Sequence, residues 1–133
     1  MAKYFLLSFD DGTVYDRRFV ELLNQYNLKG TFNLNSEFLG GFNSLVRDGR
    51  TVTHNKNKAE DVRHIYDGHE VAVHTLTHPF LPDIEDDNEI IRQVEQDRLN
   101  LSDLTGYEVV GMAYPCGGPN NDDRTAKIIK EHT

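Results

Sequence analysis

Two adjacent carboxylates, Asp10 and Asp11, stand in Ser8-Phe9-Asp10-Asp11-Gly12, where a short apolar run stops and a glycine lets the backbone turn. Neighbouring side chains leaving a strand point different ways, so the two carboxylates can take separate tasks. Two histidines four apart, His74 and His78, occur later in His-Thr-Leu-Thr-His. Imidazole is the commonest ligand of zinc and related ions, and two histidines with one carboxylate form a facial set that leaves positions open for water and substrate. Each motif also has an ordinary reading: Asp-Asp-Gly is a common turn sequence, and His-x-x-x-His alone is a weak metal signal. Their joint position, each just beyond the carboxyl end of a predicted strand, is what makes them a candidate site.

The elements that must position these residues read as repeated βα units. Tyr4 to Leu7 is apolar on both faces and predicts a strand buried in a parallel sheet. Phe19, Leu22, Leu23 and Tyr26 recur with helical spacing among polar residues, predicting an amphipathic helix that ends near Asn27 to Gly30. Thr31-Phe32-Asn33-Leu34 predicts a second strand. Residues 43–58 lack periodicity and read as a long polar loop, with a short helical turn at Ser44 to Arg47 and a solvated His54. A helix over about Lys58 to Tyr66, with Val62, Ile65 and Tyr66 inward, precedes a third strand, Glu70-Val71-Ala72-Val73. There the two histidines converge if residues 74–78 make a helical turn, whereas His64 and His69 read as structural. Asp86 or Asp87 caps a helix with Ile90, Ile91, Val94, Leu101 and Leu104 inward, ending at Gly106. Tyr107 to Ala113 predicts a fourth strand, which delivers Tyr114-Pro115-Cys116-Gly117-Gly118-Pro119 to the same rim. Such a loop is an ordinary turn, or one that lets backbone N–H groups approach a ligand. Asp122 or Asp123 caps a last helix carrying Ala126, Ile128 and Ile129.

Composition bounds the answer. The 133 residues suit one domain, 1–133, with 38% hydrophobic and 27% charged residues and no apolar stretch of membrane-spanning length. A net charge of -8 disfavours nucleic acid and anionic lipid as partners and favours a neutral or cationic substrate. The single cysteine, Cys116, forms no intrachain disulfide. Met1-Ala2-Lys3 leads straight into a predicted strand without a signal peptide, so the expected setting is the cytoplasm or that of a secreted protein already trimmed.

Ser-Phe-Asp-Asp-Gly, Gly68-His69-Glu70-Val71 with His-Thr-Leu-Thr-His, and the Tyr114 to Gly117 loop together resemble the polysaccharide deacetylase family, the NodB-homology enzymes of carbohydrate esterase family 4. The resemblance spans most of the chain. It implies an α/β fold, a distorted (β/α) barrel of the NodB deacetylase type, of which about four βα units are present as its N-terminal part. It further implies a metal-dependent hydrolase that removes N- or O-acetyl groups from an acetylated carbohydrate. Asp10 would then be the catalytic base, and Asp11, His74 and His78 would hold one divalent ion, usually zinc, with cobalt or another transition metal as alternatives. Cys116 falls where the family offers a backbone N–H to the oxyanion, and Tyr114, Pro115 and Gly117 complete that substrate loop.

Two departures qualify the resemblance. The family's third motif often carries an arginine that orients the base; Ala113 stands there, so a partner for Asp10 must come from elsewhere. The Asp-Trp motif and the Leu-x-His motif that supplies the general acid would lie beyond Thr133. The expectation is a C-terminally incomplete domain whose open edge is covered in a homo-oligomer or leaves a marginal monomer, with weak catalysis that favours O-acetyl over N-acetyl groups. The competing readings are an inert carbohydrate-binding or interaction module that keeps the metal site, and a deacetylase or amidase of a small molecule.

Overall fold

The computed structural model describes residues 1–133. Three parallel strands, β1 (Ser8–Asp10), β2 (Thr31–Leu34) and β5 (Glu70–Val73), form one sheet in the order β1-β2-β5. Their carboxyl ends share one rim, with Phe9 opposite Phe32 and Phe32 opposite Val71 in the register. Along each strand the side chains alternate. Phe32, Leu34, Val71 and Val73 face the helices and are buried, while Ser8, Asp10, Thr31, Asn33, Glu70 and Ala72 occupy the alternate positions.

The helices α1 (Asp16–Gln25), α2 (Val62–Ile65), α3 (Asp87–Ile91), α4 (Asp97–Thr105) and α5 (Asp123–His132) cover the apolar face. Val20, Leu23, Val62, Ile65, Ile90, Val94, Leu101 and Ile128 join the strand residues in one 15-residue core cluster. Burying an aliphatic or aromatic side chain of this size stabilises the fold by about 1.5–3 kcal/mol. Phe9 extends the core toward the sheet edge, edge-on to Phe19 with ring centroids 4.3 Å apart. Helix α1 ends as expected: Asn27 takes φ 54, and the Leu28 N–H donates to the Leu23 carbonyl at 2.8 Å. Tyr26, predicted to face inward, is exposed because the helix has already ended.

Several predicted elements differ. Residues 4–7 do not form a strand, and Tyr4, Phe5 and Leu6 are exposed. The Thr31 N–H reaches the Leu7 carbonyl at 2.9 Å, and no backbone bond from residues 27–30 continues the pairing toward residues 4–6. Residues 44–53 are neither helical nor irregular. They form an antiparallel hairpin, β3 (Ser44–Arg47) and β4 (Arg50–Thr53), around a two-residue turn with Asp48 at φ 50 and Gly49 at φ 74. Both central residues have positive φ, the geometry for which Asp-Gly is preferred.

The segment 107–113 lies beside β5 in parallel but makes only the Val73–Met112 bridge, through Val73 N–H to Gly111 carbonyl and Ala113 N–H to Val73 carbonyl. The Val71 N–H is occupied by the Tyr107 hydroxyl at 3.0 Å, which interrupts any longer ladder.

Between α3 and α4 the chain makes a π-helical turn, Arg92–Gln96. A π turn leaves a carbonyl without its usual donor four residues on. The Gln93 carbonyl instead accepts from the Leu76 N–H at 3.0 Å.

Candidate metal centre

Asp10 is the last residue of β1, and Asp11 follows at φ 80 with its N–H bonded to the Asn33 carbonyl at 3.0 Å. That conformation is unusual for a residue with a side chain. So are Thr75 at φ 68, His78 at φ 57 and Cys116 at φ 69, all on the same rim. Strained backbone of this kind persists only where surrounding contacts hold it, and it gathers at functional sites.

The segment carrying both histidines is not the helical turn expected from its spacing. It is held from three sides. Gln93 is buried; its side-chain oxygen accepts from the Thr77 N–H at 3.1 Å, and its amide donates to Thr77 Oγ1 at 2.9 Å. Asp97, fully buried, accepts from the backbone N–H groups of Ser36 at 2.8 Å and His74 at 3.1 Å. Burial pushes its carboxyl up to about 6, against those hydrogen bonds. Asn35 donates to the carbonyls of His74 and Thr75. Neither Gln93 nor Asp97 was legible as a site residue, because polar residues on an amphipathic helix read as its solvated face.

This scaffold brings Asp11, His74 and His78 together, with one ligand atom from each lying within 4.8 Å of the others. His74 Nε2 is 3.8 Å and His78 Nε2 3.6 Å from Asp11 Oδ1. These separations approach the ~3.3 Å edge of a tetrahedron with ~2.0–2.1 Å ligand bonds. The outer nitrogens face protein groups: His74 Nδ1 lies 2.9 Å from the Ala113 carbonyl, and His78 Nδ1 lies 3.7 Å from Cys116 Sγ. A proton on His74 Nδ1, donated to that carbonyl, leaves Nε2 as the lone-pair nitrogen facing the cluster, as metal-ligating histidines require. The donor set therefore fits a divalent ion.

Asp10 Oδ2 lies 3.9 Å from His74 Nε2. Its other oxygen accepts from Asn33 Nδ2 at 2.8 Å, and the same amide nitrogen is 2.8 Å from Ser8 Oγ. Asn33 is thus the partner that Ala113 does not supply. Its signal in the sequence was a lone amide inside the apolar strand Thr31–Leu34.

His54 departs from its prediction as a solvated surface residue. The hairpin carries it to the rim, where Nε2 sits 3.4 Å from Asp11 Oδ2 with the side chain 20% exposed. Asp11 therefore presents one oxygen to His74 and His78 and the other to His54.

In the loop after residue 113, Pro115 is buried, Tyr114 half-buried, and Cys116 and Gly117 exposed. Asn120 pins the loop by donating to the Cys116 carbonyl at 2.8 Å. Nothing in the sequence placed a histidine beside Cys116, but the fold sets His78 Nδ1 against its Sγ.

The sequence profile of the polysaccharide deacetylase family matches residues 1–133. Among solved structures, the chain resembles a polysaccharide deacetylase from Bacillus cereus, with a TM-score of 0.73 and 19% identity over 96% of this chain and 37% of that one. It also resembles the Streptococcus pyogenes deacetylase PplD in complex with acetate, with a TM-score of 0.74 and 18% identity over 95% of this chain and 51% of that one. A third is a carbohydrate esterase family 4 pseudoenzyme from Bacillus anthracis, with a TM-score of 0.69 and 21% identity over 95% and 40%. The chain thus spans about half or less of the length of these relatives, and the likeness at this identity establishes the NodB-type α/β fold. No curated protein matches the chain in sequence. The match over residues 1–133 identifies the chain as a member of the polysaccharide deacetylase family.

Proposed function

We propose that residues 1–133 form a single domain that hydrolyses an acetyl group on a carbohydrate with the help of one divalent ion held by Asp11, His74 and His78. The observation that carries this reading is the convergence of these three side chains beside Asp10, with the His74 Nδ1 already facing a protein acceptor. A bound ion of this kind supplies Lewis-acid polarisation of the acetyl carbonyl and makes water a better nucleophile. Zinc suits a two-histidine, one-carboxylate set, and cobalt is the natural alternative.

Asp10, held by Asn33, takes the proton from the attacking water. The Cys116 N–H, on an exposed loop pinned by Asn120, donates to the developing oxyanion. Pro115, Tyr114 and Gly117 shape the approach to it. Asp97 and Gln93 act at one remove, by fixing the loop that carries the two histidines.

The test is acetate release from N-acetylated chito-oligosaccharides and from an aryl acetate ester by zinc- or cobalt-loaded protein. Release that disappears with chelator and with Asp10→Asn supports the reading. Stoichiometric metal binding without any acetate release points instead to an inert carbohydrate-binding module, a reading favoured by the likeness to a pseudoenzyme.

A further inference from the structure

We propose that the cleft between the β3–β4 hairpin and the candidate metal centre binds an anionic substituent, a carboxylate or a phosphate, carried by the acetylated sugar. The acetylated sugar itself rests on the deacetylase reading above; the anion-binding character of the cleft does not.

The cleft encloses about 380 Å³, and its walls include Asp11, Phe38, Arg47, His54, Lys56 and His78. That volume is within the range of small-ligand pockets. Lys56 is the only lysine or arginine that the fold buries, at 9% exposure, and it makes neither a salt bridge nor a side-chain hydrogen bond. Its stem is buried, but the ammonium itself is not shut off from solvent; it opens into the cleft as a cation that no protein group pairs.

The two carboxylates whose charges act on Lys56 are Asp11 and Asp16. Asp16 is engaged by the Tyr66 hydroxyl at 2.6 Å, and Asp11 faces the three histidines. Arg47, exposed on β3, also lacks a salt bridge and adds its charge to the field at His54.

Two unpaired cations therefore meet in one cleft of a chain whose net charge is -8. Whole-chain charge favoured a neutral or cationic substrate, but a concave site focuses the field of its own walls. An anion placed between Arg47 and Lys56 would complete the pairing that the chain leaves open. Phe38, 39% exposed, offers an apolar face for the sugar ring beside it.

The experiment compares N-acetylglucosamine, N-acetylmuramic acid and N-acetylglucosamine 6-phosphate by calorimetry and amide shift perturbation, on zinc-loaded and metal-free protein. At least one acidic sugar is expected to bind about tenfold or more tightly than the neutral one, as for hydrogen bonds to charged groups. The shifts should fall within residues 43–56, and the tighter of the two acids distinguishes carboxylate from phosphate. Arg47→Gln, on an exposed strand, should cut the preference several-fold, and Arg47→Gln with Lys56→Met should abolish it while zinc affinity is kept. If the double variant does not fold, the Arg47→Gln result decides alone.

Equal affinities for all three sugars would overturn the proposal, as would a preference that survives Arg47→Gln or that depends on zinc alone. Acetate release from neutral chito-oligosaccharide is recorded in parallel. Its absence beside an intact acidic preference removes the deacetylase reading and leaves the anion site standing.

Discussion

Asn33 Nδ2 donates to Asp10 Oδ1 at 2.8 Å from a position only 1% exposed, so a rigid amide in β2 fixes a carboxylate that is itself half in solvent. Asn33→Leu should lower kcat for acetate release about tenfold with zinc content unchanged, because a hydrogen bond to a charged group is worth ~1.5–3 kcal/mol and solvent replaces part of it. In an Asp10→Asn background the same change should have no further effect, a double-mutant cycle that separates positioning from general destabilisation.

Metal uptake should divide the acidic pair. His74→Ala combined with His78→Ala is expected to abolish zinc binding in calorimetry, and Asp11→Asn to weaken it strongly. Asp10→Asn should retain it. The reverse order for the two aspartates would exchange their roles.

Cys116 lies against the outer nitrogen of His78 and is expected to orient that ring, with no role as a nucleophile. Cys116→Ser, which keeps a polar partner, should leave turnover within a few-fold. Cys116→Ala should weaken zinc binding by up to about tenfold, the lower end of what outer-shell partners contribute. Complete inactivity of folded, zinc-loaded Cys116→Ser would contradict this.

His69 gives the fold a pH dependence remote from the rim. Its Nδ1 accepts the Gly30 N–H at 3.2 Å while Nε2 faces Asn24 Oδ1 at 2.9 Å, an arrangement that needs the neutral ring. Burial, with a smaller effect from Lys29, holds its pKa below the usual 6.5. A base whose pKa is lowered by folding contributes stability above its unfolded pKa and loses it as pH falls through the folded value. Urea midpoints should therefore drop for the wild type between pH 7.5 and pH 5 by more than for His69→Asn. Asp16 and Asp97, both raised to about 6, pull the opposite way in both proteins and cancel in the comparison.

The sequence made the strands β2 and β5, the helix ends at Asn27 and Gly106, and the four rim residues Asp10, Asp11, His74 and His78 legible, because each depends on local pattern or on a motif. The hairpin escaped because Leu45 is the only one of its eight strand residues that is not exposed, so no alternation marks it. Asp48-Gly49 was the surviving signal. His54 was lost with the hairpin, since a histidine's neighbours across a turn are invisible in a polar run. Asn33, Gln93 and Asp97 are buried polar residues whose purpose lies in what they touch, and periodicity assigns such residues to loops or solvated faces.

The π turn at Arg92–Gln96 gives the long helix one residue more than a regular α-helix would need over the same span. Removing that residue would let α3 run into α4 with Leu101 and Thr105 still facing inward, so the fold should persist, less stable by about the 1–3 kcal/mol of one buried donor left unpaired. Every carbonyl would then be spent inside the helix, and the Leu76 N–H would lose its acceptor. Inheritance of the fold and inheritance of the site are thus separable by a single codon: a deletion that folding survives would untie the loop that carries both histidines.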